Sequence, residues 1–203
     1  MNNWDHYWTF NDIKSFGCRY HHNLISGVYF DFLEKKKISN PSIVEVGCGC
    51  GEFTARMLEK FGGNGVLIDK SSNALKVARN NFKSRGLDVE FKMADLFKLD
   101  IRKKFDIVHS EGLIEHFKGE EQKKVVDVHK KLLKKGGFLV ISVPRPSMLY
   151  RIWRFYKEKR NDWPFGYEKA MTKEDLRKVL KASGFKILKV LEKGRYSFAL
   201  AKI

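Results

Sequence analysis

Residues 42–53 read Ser-Ile-Val-Glu-Val-Gly-Cys-Gly-Cys-Gly-Glu-Phe, and this stretch decides the fold. Ile43, Val44 and Val46 form a short β-branched apolar run, the mark of a buried strand. Gly47, Gly49 and Gly51 end it at alternate positions. Phe53, Met57, Leu58 and Phe61 then share one face of a helix over 53–61. A strand, a glycine turn and a helix in this order bring bare backbone N–H groups close to a ligand. Two common phosphate binders are excluded by spacing. A dinucleotide fingerprint, G-x-G-x-x-G, would need its third glycine at Glu52 or Thr54. A phosphate loop would need a Lys-Ser or Lys-Thr pair, and none follows. What stands here is acidic-x-G-x-G-x-G, Glu45 through Gly51.

Outward from this stretch the pattern repeats. Residues 65–69 read as a second buried strand ending in Asp69, and Ser71 caps a helix that runs to a stop near Gly86. Val89, Phe91 and Met93 alternate as a third strand, followed by Ala94-Asp95-Leu96. Residues 105–108 form a fourth strand leading into a loop from Ser110 and Glu111 to His116 and Phe117. A helix from about Glu120 to Leu133 and a fifth strand over 138–143 follow. Strands alternating with helices imply right-handed crossovers, a parallel sheet covered on both faces, and hence an α/β fold. Ligands of such sheets bind beyond the carboxyl ends of the strands. The glycine loop, Asp69, Asp95 and the 110–117 loop all follow such ends. Residues 145–171, dense in aromatic and basic side chains, break the alternation and suggest a lid or partner surface. Thr172 with Asp175 starts a helix over 173–182, and 185–191 with 196–203 read as a hairpin turning at Lys193-Gly194. Residues 1–40 form a separate helical leader capped at Asn11, with Ile13, Phe16, Tyr20, Leu24, Val28 and Leu33 at helical spacing. This leader either packs on the sheet edge or covers the substrate pocket. Cys18, His21 and His22 lack a second pair at zinc-site spacing, so no metal is expected.

Acidic-x-G-x-G-x-G, Asp69, Ala94-Asp95-Leu96, Glu115-His116 and the terminal hairpin follow one another in the order found in class I S-adenosylmethionine-dependent methyltransferases. The chain resembles that family over roughly residues 40–203. The resemblance implies a Rossmann-like, seven-stranded, mostly parallel sheet with helices on both faces and a C-terminal antiparallel hairpin. It divides the chain into an N-terminal helical cap, 1–40, and a methyltransferase domain, 41–203, with a lid-like insertion at about 145–171. The implied cofactor is S-adenosyl-L-methionine. Gly47, Cys48, Gly49 and Gly51 would pass under its methionine part, with Glu45 holding the ammonium or the loop itself. Asp69, with Lys70 beside it, would take the ribose hydroxyls. Asp95, between Ala94 and Leu96, would take the adenine amino group, with Met93 and Leu96 against the ring. Ser110 and Glu111 line the loop that touches the cofactor. His116, in a segment that looks like the post-strand-4 signature of the type 11 small-molecule group, is the candidate base. A structural or cofactor-shielding role is its other reading.

At 203 residues, 43% hydrophobic and 32% charged, the chain suits one soluble domain. It has no membrane-length apolar run and no signal peptide, and its three cysteines make no disulfide framework, so a cytoplasmic location is expected. A net charge of +16 either gathers anionic partners such as RNA or a membrane surface or marks a lysine-rich exterior. The nucleic-acid amino-methylating motif [DNS]-P-P-[FYW] is replaced by Ser110-Glu111-Gly112-Leu113, and no cysteine nucleophile follows strand four or five. No DNA partner is expected. The leading reading is methyl transfer to a small-molecule acceptor under the 145–171 segment, where Tyr150, Trp153, Phe155, Tyr156, Trp163, Phe165 and Tyr167 suit an apolar or planar group. The alternatives are an RNA or anionic-lipid methyltransferase, with Arg151, Arg154, Lys157, Lys159 and Arg160 on phosphates, or a non-catalytic methyltransferase-like binding module. A nicotinamide oxidoreductase is more distant.

Overall fold

The computed structural model describes residues 4–10 and 16–203, without the side chains of 6, 9, 10, 16–22 and 24. Seven strands form one sheet in the order β3-β2-β1-β4-β5-β7-β6. They are β1 (Ser42–Val46), β2 (Asn64–Asp69), β3 (Glu90–Met93), β4 (Phe105–Glu111), β5 (Leu133–Pro144), β6 (Lys186–Lys193) and β7 (Tyr196–Lys202). The first five pair in parallel, and β7 enters antiparallel between β5 and β6. The expected α/β sheet with a closing hairpin is therefore present. Its strand order reverses between β1 and β4, so the rim beyond their carboxyl ends is where such a sheet takes a ligand.

The strands alternate sides as a pleat demands. Val44, Val46, Val66, Ile68, Val108 and Ile141 face one layer. Ile43, Leu67, Ile107 and Val140 face the other. The first layer is closed by α5 (Gly119–Leu132) and α7 (Lys173–Ala182) through Val125, Val126, Leu176 and Leu180. The second is closed by α2 (Phe16–Lys35), α3 (Glu52–Phe61) and α4 (Ser72–Ser84) through Ile25, Leu33, Phe53, Met57 and Phe82. Both faces being covered is why β1 is buried at every residue, its apolar Ile43, Val44 and Val46 joined by the buried polar Ser42 and Glu45. Capping follows the sequence: Ser71 accepts from the Ala74 amide, and Thr172 and Asp175 complete a reciprocal capping box.

Several boundaries differ from expectation. The N-cap expected at Asn11 lies outside the described residues, as does Ile13. A short helix, α1 (Trp4–Phe10), lies against α4, whereas α2 packs on the sheet face rather than its edge. The fourth strand runs on to Glu111 and the fifth starts at Leu133, because Leu133 pairs with Phe105 before an irregularity restores the register at Ile107 and Phe138. Residues 145–171 are not an open loop: α6 (Met148–Lys159), capped by Ser147, fills their first half. No helix among the described residues is long and apolar enough to cross a membrane.

Phe53 is 1% exposed and stacks on the His109 ring at 3.7 Å, whereas Phe155 on α6 is 61% exposed. Phe53→Ala should lower unfolding free energy in denaturant titration by about 3–5 kcal/mol. Phe155→Ala should change it by no more than about 0.5 kcal/mol.

Candidate functional site

The carboxyl rim begins at the glycine loop. Gly47, Gly49 and Gly51 all hold left-handed backbone, with φ of 64°, 52° and 67°. A side chain there would be strained by conformation and by space. A Cβ at Gly47 would come within 3.0 Å of Leu113 Cδ1, and one at Gly49 within 2.4 Å of the Trp8 ring. The loop is stitched by the Cys48 amide to the Ile68 carbonyl (3.0 Å) and by the Gly51 amide to the Cys48 carbonyl (2.8 Å). Cys48 and Cys50 are buried in it.

Two buried carboxylates fix the loop from either end. Asp69 Oδ2 accepts the Gly49 amide and Oδ1 the Ser71 amide, each at 2.9 Å. Burial raises the Asp69 pKa while these amides pull it back. Glu45 Oε2 accepts from the Thr54 hydroxyl at 2.6 Å and its amide at 3.2 Å, and Oε1 lies 3.9 Å from His109 Nε2. Glu45 thus braces the start of α3 in the sheet. Asp95 is exposed at the end of β3 and caps a 3-10 turn, Leu96–Lys98, through the Phe97 amide. The Ala94 amide donates to the Asp69 carbonyl at 3.0 Å, joining the ends of β2 and β3. Lys70 is exposed beside Asp69, Leu96 is half-buried and Met93 is 66% exposed.

The post-β4 turn supplies the other wall. Ser110 does not turn toward the rim, contrary to expectation. Because β4 continues through it, its hydroxyl points inward to His129 Nε2 at 2.9 Å, and His129 Nδ1 donates to the Val125 carbonyl at 2.7 Å. Burial drives the His129 pKa down to about 4, so this pair is structural. Glu111 is half-buried and close enough to Glu115 to raise its pKa. His116, on the turn Ile114–His116, places Nδ1 3.0 Å from the Tyr167 carbonyl. Nδ1 is therefore the protonated nitrogen, and Nε2 carries the lone pair. Nε2 lies 3.8 Å from Glu115 Oε1 and 3.9 Å from Glu168 Oε2, beyond hydrogen-bonding reach. Burial takes His116 down to about 4, with Lys70 pushing the same way. Burial also raises Glu115 and Glu168.

Residues 163–171 form a strap anchored to this turn. The Lys169 amide donates to the Glu115 carbonyl and the Met171 amide to the Pro144 carbonyl, both at 2.9 Å. Tyr150 of α6 donates to Glu168 Oε1 at 2.5 Å, and Arg154 donates to the Glu168 carbonyl at 2.6 Å. Over the rim lies α1. Asp5 accepts from the Ser71 hydroxyl at 2.5 Å and the Asn73 amide at 3.2 Å. Trp8 covers Gly49, and Trp4 meets the His116 ring edge-on at 4.9 Å. Phe165 joins Trp4 and Tyr7 at 5.7 and 5.1 Å. The leader therefore covers the rim with α1 and packs on the sheet with α2.

Asp5, Glu168 and the Tyr150–Glu168 pair had no sequence signal. Each depends on a contact between stretches far apart in the chain, and none stands in a motif. Glu115 was visible only as the neighbour of His116. It is 1% exposed, and its Oε2 has no hydrogen-bond partner. A carboxyl whose pKa is raised on folding binds its proton more tightly when folded, so stability falls as pH rises above its ordinary 4.5. Glu115→Gln, lacking that charge, should be more stable than wild type at neutral pH in denaturant titration. The advantage should vanish once the pH falls below about 4.5.

Residues 43–137 match the model of a family described as a methyltransferase domain. A ubiquinone biosynthesis O-methyltransferase of Pelagibacter ubique is 30% identical over 107 residues, 53% of this chain and 43% of that protein. A malonyl-[acyl-carrier protein] O-methyltransferase of Ilyobacter polytropus is 26% identical over 140 residues, 68% of this chain and 52% of that protein. The chain spans about half the length of these curated relatives. The structure of a magnesium protoporphyrin IX methyltransferase from Synechocystis, with bound S-adenosylhomocysteine, superposes with a TM-score of 0.73. It is 17% identical, and the match covers 97% of this chain and 91% of that one. Residues 43–137 thus match a methyltransferase-domain family, and the chain around them shares the Rossmann-like fold of the methyltransferases it superposes on.

Proposed function

We propose that the chain transfers a methyl group from S-adenosylmethionine to a small-molecule acceptor, held between α1, the 114–116 turn and the 163–171 strap. One observation carries this reading. The left-handed glycine loop and the aromatic wall around His116 meet at one rim, and a single short helix, α1, touches both.

The residues present fit the cofactor. The glycine loop keeps bare left-handed backbone at the rim, with the Trp8 ring packed directly on Gly49. Asp69 accepts backbone amides on both oxygens and keeps acceptor capacity for a ribose hydroxyl. Asp95 likewise spends one oxygen on the Phe97 amide and is exposed to solvent, leaving its other oxygen to accept from an adenine amino group. When bound, S-adenosylmethionine supplies a methyl group already activated by its positively charged sulfur. The protein is left to align the acceptor, exclude water and deal with one proton. Trp4, Tyr7, Trp8 and Phe165 exclude the water. His116 Nε2, with its lone pair directed away from the Tyr167 carbonyl, takes the acceptor's proton in a hydrogen bond. A ring held near 4 does not keep that proton at neutral pH and passes it to solvent, while Glu115 and Glu168, 3.8 and 3.9 Å from Nε2, face the ring without a hydrogen bond to it. His116 is then an orienting acceptor backed by two carboxyls rather than an imidazolium. Cys48 and Cys50, buried as thiols, suit a reducing, cytoplasmic setting.

Calorimetric titration should show S-adenosylmethionine and S-adenosylhomocysteine binding while NADH does not. Asp69→Ala should abolish that binding, and Asp95→Ala should weaken it by about tenfold, the worth of one hydrogen bond to a charged group. Failure of wild type to bind the methyl donor would leave a methyltransferase-like binding module. On a panel of phenol, carboxylic acid and amine acceptors, His116→Ala should lower kcat by about 10²-fold or more with donor affinity little changed. An effect confined to donor affinity would assign His116 to shielding the cofactor instead.

A further inference from the structure

On α6 the hydrophobic side chains point the wrong way for a core. Met148, Leu149, Ile152, Phe155 and Tyr156 are 76, 64, 43, 61 and 61% exposed. Their spacing, i, i+1, i+4, i+7 and i+8, puts all five within an arc of about 120° on a helix advancing about 100° per residue. The opposite face is the one that holds the helix to the protein. Tyr150 is buried against Glu168, and Arg154 reaches Glu158, the Tyr150 hydroxyl and the Glu168 carbonyl. The apolar arc is thus a continuous stripe turned to solvent, which a soluble surface rarely carries without an occupant.

The charges around the stripe say what the occupant is. Lys159 lies at its C-terminal end, and Arg151 and Arg160 flank it, all exposed. The one acid of the helix, Glu158, is engaged by Arg154, and Asp162 by Lys157. Arg154 and Lys157 are consequently not the free phosphate ligands the sequence suggested. Phe155 and Tyr156 could stack on bases, but aliphatic Met148, Leu149 and Ile152 offer no such surface, so RNA answers only part of this face. A second copy of a chain carrying +16 would bring basic rim against basic rim. A bilayer with anionic headgroups answers both parts: acyl chains take the stripe, headgroup phosphates take the flanking cations, and Trp153 and Tyr156 sit at the boundary.

We propose that the outward face of α6 docks the protein onto an anionic phospholipid surface. The same helix holds Glu168 through Tyr150, so docking would set the 163–171 strap and His116 close to the membrane plane. Vesicle binding is read without any methyl donor, so this inference stands or falls apart from the methyl-transfer reading.

The test is co-sedimentation of the full chain with phosphatidylcholine vesicles and with the same vesicles containing phosphatidylglycerol. Binding should be at least about tenfold tighter to the anionic vesicles and should weaken with added salt. The exposed double variant Ile152→Ser/Phe155→Ser should keep the wild-type denaturation curve and lose at least about tenfold in vesicle affinity. Wild type that does not bind the anionic vesicles, or a double variant that binds like wild type, overturns the proposal. So does capture of a uridine homopolymer through these residues without vesicle binding, which would assign the face to RNA. A dimer in sedimentation that the double variant dissolves would assign it to a second copy.

Discussion

Asp69 is a carboxylate held almost wholly out of water at the end of β2, and the shape of the rim depends on what it binds there. Burial disfavours its charge and raises its pKa, and the amides of Gly49 and Ser71 offset part of that cost. Those two bonds join the loop after β1 to the cap of α4. The Gly49 amide reaches the carboxylate from a left-handed loop, in which a side chain would be strained and would also strike Trp8. Ser71, positioned by the same carboxylate, turns its hydroxyl to Asp5 while still capping α4. One buried charge thereby couples β1, β2 and α4, and at one remove the helix that covers the site. Glu45 does the parallel task on the other side of the loop, tying it to Thr54.

Around His116 the electrostatics reverse the sign of the molecule. The chain as a whole is strongly basic, yet the groups facing its Nε2 are two buried acids, with a third, Glu111, near enough to raise Glu115 further. Burying acids in a low dielectric is unfavourable, and that desolvation raises both Glu115 and Glu168, with the neighbouring like charges adding to it at Glu115. Such a cluster stabilises no fold. It makes sense at a site that must receive positive charge or a proton, as the proposed methyl transfer from a sulfonium donor would require. The aromatic cover from α1 and the strap keeps the dielectric low, so those charges act at nearly full strength.

The central fold was legible because its residues answer to local rules. A strand covered on both faces is mostly apolar, and Ile43, Val44 and Val46 make β1 so, its one buried carboxylate, Glu45, being held by Thr54. Helices capped by Ser71 and by Thr172 with Asp175 announce themselves through side chains that satisfy their own backbone. What was not legible depends on contacts between distant stretches. Glu168 meets His116 across 52 positions, and Asp5 meets Ser71 across 66. Ser110 was misplaced for a different reason: nothing local shows that β4 continues past Val108, and one further pair of strand residues decides whether its hydroxyl faces the rim or α5. In α1 the crowded aromatics hide any helical period. In α6 the period is present, but a stripe facing solvent has the same spacing as one facing a core, so the sequence alone cannot orient it.

That ambiguity carries the last step. The inner face of α6 is fixed by polar bonds, from Tyr150 and Arg154 to the strap, where core helices of this chain are fixed by apolar packing. A helix anchored by hydrogen bonds and a guanidinium stacked 4.8 Å from Trp163 keeps its direction without spending its hydrophobic residues inward. Those residues are therefore available outward. Had the stripe been turned to the sheet, Tyr150 would face solvent and Glu168 would lose its hydroxyl partner, leaving another buried carboxylate beside Glu115. The orientation that exposes the apolar stripe is the one that keeps the acids next to His116 in order.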